Sequence, residues 1–287
     1  EHNRIGKPKG AVWLQVTRLV LSGIFPQLRM GLQHGLDFLY SGYCWALYSL
    51  LCVPVWLLVV LLPGRKLRWQ VTRYGAKLLA LLSGTRMLVD GVENIPLDRP
   101  VVIVSNHLSS LDAYVLQAVL PVPCSFIAQA ELADRFLVRV PLLRLGAVMV
   151  ERFDKERVAG DASLIATLAS DGMVFLFFPE GTFQRMPGLL PFHMGAFLTS
   201  VQACIPAVPV TIRGTRNKLR SGSWFPRRGA VSVFIGSSVL PDGEDWAAAL
   251  RLRDAVRLEI LKHLGEPDLA GSFATLAEMN NSGTDRQ

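Results

Sequence analysis

The sequence predicts an α/β fold: a mostly parallel central sheet flanked by helices, with N-terminal helices inserted in a membrane. Three observations predict it. Apolar strand candidates alternate with helix candidates from residue 86 to residue 264, and continuous apolar strands belong to parallel sheets covered on both faces. No charged residue stands between Asp37 and Arg65, and the nineteen residues 44–62 are dominated by Leu, Val, Trp and Cys. That is about the length that crosses a ~30 Å hydrocarbon core. The composition, 51% hydrophobic and 18% charged, is too apolar for an ordinary soluble enzyme and too polar for a polytopic membrane protein.

The elements follow in order. Residues 1–10 are polar and read as loose, and 11–25 read as an amphipathic helix around Arg18. The run 44–62 is followed at once by Arg65, Lys66, Arg68 and Arg73, the flank expected on a cytoplasmic face. Pro54 leaves two readings of the run, a spanning helix or a bent one lying in a single leaflet. The run starts too late for a cleavable signal peptide. Residues 66–83 form a basic amphipathic helix, with Trp69 and Tyr74 expected at the membrane interface and Gly84 as its stop. Strands are expected at 86–90, 101–105, 124–128, 147–150, 173–178, 207–212 and 230–235. Helices are expected at 110–119, 131–145 with a break at Pro141, 156–170, 193–202 and 246–264. The last carries Leu252, Val256, Ile260 and Leu264 on one stripe, with Arg251, Asp254, Arg257 and Lys262 off it. The chain thus divides into a membrane-associated helical segment over 1–65, an α/β domain over 66–265 and a disordered tail over 266–287. It opens at Glu1 rather than methionine, as a processed chain or a piece of a longer polypeptide would.

A formal net charge of +7 favours an anionic partner. The basic residues are scattered rather than gathered into a nucleic-acid motif, so the expected partner is membrane lipid and not nucleic acid. Cys44, Cys52, Cys124 and Cys204 form no C-x-x-C pair and lie at no zinc spacing. They read as reduced core or membrane residues, and no metal site is expected.

Chemistry concentrates at two strand ends. In residues 101–112, an apolar strand delivers His107, and Asp112 follows five positions later. Two readings stand. Ser109 and Asp112 have capping-box form and His107 finishes a strand. Alternatively, the aspartate holds one imidazole tautomer and the imidazole takes a proton from an attacking hydroxyl. Asn106 either adds a hydrogen bond there or closes the strand. The second strand, 175–178, ends in Pro179-Glu180-Gly181-Thr182. Glu180 would repel a phosphate, so its expected task is to orient donors. Open α/β sheets place ligands at such carboxyl ends.

Asn106-His107, Asp112 and Phe178-Pro179-Glu180-Gly181-Thr182 together resemble the glycerolipid acyltransferase family typified by bacterial 1-acylglycerol-3-phosphate acyltransferases. Glu131-Leu132, Pro141, Gly146 and Arg152 look like its second block, and Ile205-Pro206 with Pro209-Val210 look like its fourth. Pro191-Phe192-His193 with Gly195 resembles the segment after Glu-Gly-Thr. The resemblance implies transfer of a fatty acyl group from a thioester to a lysolipid hydroxyl, without an acyl-enzyme, in phospholipid biosynthesis. His107 would be the base and Asp112 its partner. Arg152, Gly181 and Thr182 would hold the acceptor's phosphate, with Glu180 beside them, and Glu131 with its block would line the path to the acyl pocket. The donor would be acyl-CoA or acyl-carrier protein, a co-substrate rather than a cofactor. The location implied is a bacterial-type inner membrane, with the catalytic domain facing the cytoplasm.

The sequence departs from the family pattern where charge is expected. Gln129 stands where the family often has lysine, Phe183 and Gln184 where it often has arginine and serine, and His193 at a lysine-like position. Arg185 is placed to replace one missing cation by reaching back, with Arg213 as a further candidate. These losses favour a lysophospholipid, with its phosphodiester, as an alternative acceptor. A thioesterase and a catalytically silent lipid-binding protein are the remaining alternatives. Arg213, Arg216, Lys218 and Arg220 form a basic run that is either a solvated loop or a contact for a donor's phosphates.

Overall fold

The computed structural model describes residues 9–129, 134, 136–150, 163–169 and 172–271. Strands β1 (Met87–Asp90), β2 (Val102–Ser105), β3 (Cys124–Gln129), β4 (Val148–Val150), β5 (Val174–Phe177), β6 (Ala207–Arg213) and β7 (Val231–Ile235) form one sheet in the order β1-β7-β6-β2-β5-β3-β4. Every expected strand is present. All neighbours pair in parallel except β6 and β7, which run antiparallel. The helices are α1 (Lys9–Leu61), α2 (Arg65–Leu82), α3 (Asp112–Val119), α4 (Phe136–Leu145), α5 (163–169), α6 (Gly195–Gln202), the one-turn α7 (Thr215–Lys218) and α8 (Trp246–Leu264).

The two faces of the sheet separate by the period-2 rule. Val102, Val104, Phe175, Phe177 and Ala207 point to one side, against Ile165 of α5, Phe197 of α6 and Val256 and Ile260 of α8. Ile103, Leu176, Val208, Val210 and Ile212 point to the other, against Leu116 of α3 and Trp69 of α2. Trp69 is therefore a core residue, 3% exposed, and not the interfacial residue that its basic helix suggested. The face of α2 that carries it is held on α3, where Gln117 Nε2 donates to Thr72 Oγ1 at 2.6 Å. Tyr74, on another face, is exposed. Gly84 ends α2 as expected. At φ +64 it donates to Leu81 O, and Thr85 N donates to Ala80 O, the paired bonds of a Schellman stop.

Three helix expectations need correction. First, residues 9–61 form one 53-residue helix rather than separate pieces, and it continues through Pro54. Its stretch Gln33–Leu61 is long and apolar enough to cross a membrane. Residues 1–8, and side chains before residue 31, lie outside what the structure describes. Second, α4 is not broken at Pro141. A helical proline leaves the carbonyl four residues earlier without its donor. That carbonyl, Leu137 O, accepts instead from Trp56 Nε1 of α1 at 2.8 Å. Third, Arg257 of α8 is buried rather than off the apolar stripe. It donates to Leu190 O at 2.6 Å and Leu189 O at 3.0 Å, and pairs with Asp268.

That pairing also revises the tail. Residues 266–271 dock on the body: Leu189 N donates to Pro267 O, Leu269 N to Leu189 O, and Glu266 pairs with Arg216 at 2.9 Å. Buried arginine groups require carboxylate partners, and the chain after α8 supplies them. Residues 272–287 lie outside the described residues. The four cysteines are free, and Cys204 is exposed at the end of α6 rather than in the core.

After β1 the chain turns at Gly91, φ +79, where an added Cβ would lie 2.1 Å from Ile235 O. Both the backbone conformation and the contact exclude a side chain. Gly91→Ala should lower stability by about 2–4 kcal/mol with the candidate site unaltered, as read by thermal unfolding of the detergent-solubilised chain.

Candidate active site

The ends of β2, β5 and β6 lie at one edge of the sheet. Asn106, fully buried, follows β2 and extends its pairing with β6 by side chain: Oδ1 accepts from Ile212 N at 2.7 Å and Nδ2 donates to Ile212 O at 3.0 Å. The amide mimics a peptide group, so Asn106 closes the strand. The next three residues then leave the sheet with three backbone N–H groups pointing inward.

Two carboxylates meet those amides. Asp112 Oδ2 accepts from Leu108 N at 2.6 Å and Ser109 N at 2.8 Å, and Glu180 Oε1 accepts from His107 N at 2.6 Å. Asp112 Oδ2 also lies 2.9 Å from His107 Nδ1. A carboxylate oxygen only accepts, so Nδ1 carries the proton and Nε2 the lone pair. Asp112 is 0% exposed and the His107 side chain 16%, which leaves the imidazole as the only part of the pair that water or substrate can reach. The carboxylate that turns the chain into α3 is therefore also the carboxylate that orients the ring. Ser109 contributes as well, its Oγ accepting from Leu111 N at 3.3 Å and donating to Leu219 O at 2.7 Å.

Glu180 is 3% exposed. Its second oxygen accepts from Leu190 N at 2.9 Å. It faces inward with each oxygen engaged by a backbone amide, one of them the amide of His107. Burial pushes its carboxyl up to about 7, against the pull of the two amide bonds and of Arg216 and Arg257. Gly181, at φ +64, makes the turn that follows, and its N donates to Phe178 O at 2.9 Å. Thr182 is exposed beyond it.

Two aromatic rings hold the imidazole. Phe178 stacks on it at 4.2 Å, and Phe183 meets it edge-on at 4.6 Å. Phe178 belongs to the motif, whereas in the sequence Phe183 stands out only as the residue where the family often has arginine. The sequence signal that could have found it is its place directly after Glu-Gly-Thr. Arg185 is exposed two residues on. Arg216 donates to Gln184 O and Met186 O and so fixes that loop from below. Glu131 and Arg152 lie outside the described residues. No cluster of three or more His, Cys, Asp or Glu side chains able to hold a metal occurs among the described residues.

A polarised, partly accessible imidazole at the carboxyl edge of a parallel sheet can take a proton from a hydroxyl. A family model described as Acyltransferase matches residues 86–213. The mouse 1-acyl-sn-glycerol-3-phosphate acyltransferase alpha is 32% identical over 81% of this chain and 82% of its own length. A 1-acyl-sn-glycerol-3-phosphate acyltransferase of Chlamydomonas reinhardtii is 32% identical over 67% of this chain and 57% of its own. The chain spans about three fifths of the length of the first curated relatives it matches. In fold it is similar to the crystal structure of the 1-acyl-sn-glycerophosphate acyltransferase PlsC from Thermotoga maritima. The TM-score is 0.65, with 23% identity, over 80% of this chain and 97% of that one. With the sheet, the His107–Asp112 pair and these matches in agreement, the chain belongs to the glycerolipid acyltransferase family.

Proposed function

We propose that this protein is a membrane-bound acyltransferase that moves a fatty acyl group from an acyl thioester to the free hydroxyl of 1-acylglycerol-3-phosphate. The observation that carries the reading is the 2.9 Å contact of His107 Nδ1 with the buried Asp112, in a chain of this family. Nε2 takes the proton of the acceptor hydroxyl as its oxygen attacks the thioester carbonyl. The carbon–sulfur bond then breaks, and the imidazolium returns its proton to the departing thiolate, so the products are the acylated lipid and a free thiol. Asp112 favours the imidazolium formed midway. No acyl-enzyme is needed.

Thr182 and Gly181 border the place where the acceptor's phosphate would sit, with Arg185 as the nearby cation and Arg152 assigned by family resemblance alone. The apolar helix over Gln33–Leu61 supports membrane attachment. The cations Arg65, Lys66 and Arg68 after it favour a cytoplasmic position for the sheet. One observation favours a second acceptor. Phe183, where the family often carries arginine, lies against the base and offers no charge to a phosphomonoester. A lysophospholipid, with its phosphodiester, needs fewer cations there.

Incubation of the purified chain with acyl-CoA and a panel of lysolipids, following free thiol and acylated lipid, tests the reading. Acceptor-dependent thiol release is expected, and thiol release that ignores the acceptor would overturn it in favour of a thioesterase. His107→Ala should lower the rate about 10²–10⁴-fold. Asp112→Asn, which can no longer hold the tautomer through an accepting carboxylate, should lower kcat with little change in KM.

Glu180 yields a separate expectation in stability. A buried carboxyl raised from the usual 4.5 to about 7 keeps its proton in the folded state where the unfolded chain has lost it. Stability is then full below pH 4.5 and falls as pH rises through about 7. In Glu180→Gln that decline between pH 4.5 and 7 should flatten, as measured by thermal unfolding at each pH.

A further inference from the structure

The loop over residues 219–230 joins α7 to β7 and carries the most exposed large apolar side chain among the described residues, Trp224, at 81%. Its backbone enforces that exposure. Trp45 Nε1 of α1 donates to Trp224 O at 2.7 Å, across 179 residues of chain. Arg227 N donates to Lys218 O at 2.7 Å and Ser223 N to Arg220 O at 3.0 Å, which closes the loop and its inner turn. Pro226 fixes one further φ. At the base of the loop, Lys218 Nζ donates to Tyr40 OH of α1 at 3.1 Å. The tryptophan ring is thus presented outward by a braced segment.

The loop extends the apolar surface of α1. The rings of Trp224 and Trp45 lie 5.5 Å apart, and those of Phe225 and Phe38 6.4 Å apart. Phe38 and Leu39, near the start of the apolar stretch Gln33–Leu61, are themselves exposed. That stretch lies along the body rather than standing off it: Tyr43 OH donates to Leu82 O at 3.0 Å, and Trp56 Nε1 to Leu137 O. A leaflet that covers the outer face of α1 therefore reaches Trp224 and Phe225 as well. Charge narrows the partner. Residues 213–230 contain six Arg or Lys and no Asp or Glu, and Asp37 is the single carboxylate of α1 between residues 31 and 61. Arg227 and Arg228 are exposed on the loop and form no ion pair among the described residues. Arg228 lies over the Tyr40 ring at 5.2 Å. Tryptophan settles at the headgroup level of a bilayer, and basic residues beside it are drawn to anionic headgroups.

We propose that this loop is a second membrane contact, with Trp224 and Phe225 among the headgroups and Arg227 and Arg228 on the phosphates of an anionic leaflet. The proposal rests on the membrane-bound acyltransferase reading and names the lipid surface from which the acceptor comes. It also bears on the site. Leu219, where the loop leaves the body, accepts through its carbonyl from Ser109 Oγ at 2.7 Å. Ser109 N in turn shares Asp112 Oδ2 with His107 Nδ1. A loop seated in the headgroups thus holds the turn bearing the candidate base against the lipid from which a lysolipid enters.

The test uses the full chain in lipid nanodiscs of phosphatidylcholine alone, or with roughly one third phosphatidylglycerol. Fluorotryptophan gives each of the six tryptophans a fluorine NMR signal, and Trp224→Phe identifies that of Trp224. A nitroxide on the upper acyl chain should broaden the Trp224 signal in the anionic discs, while a water-soluble paramagnetic chelate leaves it sharp. In Arg227→Gln/Arg228→Gln, whose folding is checked by thermal unfolding, the ratio of seated to unseated loop should fall about 5–20-fold. Kinetically, the variant's KM for a bilayer-embedded lysolipid should rise about 3–10-fold, while that for a short-chain, water-soluble lysolipid stays within about twofold. Broadening of Trp224 by the water-soluble reagent would overturn the proposal, as would equal seating in the two kinds of disc. Protection from both reagents would give the patch to a protein partner, such as a second copy, and overturn it too. So would a matching KM rise for the soluble lysolipid, which would place the two arginines in the acceptor site. Because the fluorine measurement needs no turnover, a chain that seats the loop but transfers no acyl group overturns the proposed function and leaves the membrane contact standing.

Discussion

Buried carboxylates need donors, and in this protein two of them find donors in the same three residues. Asp112 and Glu180 take the backbone amides of His107, Leu108 and Ser109 between them. An ionised or polar group withdrawn from water costs several kcal/mol unless it is bonded, so the turn after β2 has one arrangement that satisfies both. That arrangement fixes where His107 leaves the sheet and which of its nitrogens faces outward. The aromatic contacts from Phe178 and Phe183 then restrict the ring itself. The geometry of the candidate base is a by-product of solving a solvation problem.

The constraint propagates. Glu180 also holds Leu190 N. The carbonyls of Leu189 and Leu190 are held in turn by Arg257, and Arg257 is neutralised by Asp268. Arg216 does the same for the loop carrying Gln184 and Met186, with Glu266 as its counter-ion. Residues just beyond the last helix are thus connected, bond by bond, to the backbone of the candidate base. Each buried arginine here serves two main-chain carbonyls and one carboxylate, a use for which the planar guanidinium fork is suited and an ammonium is not.

On the opposite side, α1 and α2 leave Leu50, Val53, Leu57, Leu78 and Leu81 exposed, while Gly75 lets Val55 approach within a distance that a side chain would forbid. Tight helix contact combined with an outward apolar surface is what a lipid environment permits. The candidate base lies where strand ends give access, at the carboxyl edge common to open parallel sheets.

All seven strands, the two-sided core and the candidate pair were legible in the sequence. Strands of Val, Ile and Phe and the Leu252–Leu264 stripe report burial directly, and the spacing of His107 and Asp112 is local enough to read in one dimension. Gly84 as a helix stop was of the same kind, since it needs only its own φ above zero. What required the tertiary structure was every fact that joins distant segments. Trp69 entered the core because α3 and the sheet cover that face of α2, and α4 survived Pro141 because Trp56, far away in the chain, supplies the missing donor. Arg257 was buried because two carbonyls and Asp268 converge on it. Glu180 turned inward to His107, and Arg185 came together with Arg213 at the end of β6 and Arg220 just after α7. Periodicity and capping act within a few residues and are written in the chain. The satisfaction of buried polar groups depends on which segments the fold brings within 3 Å of each other, and only the assembled structure decides that.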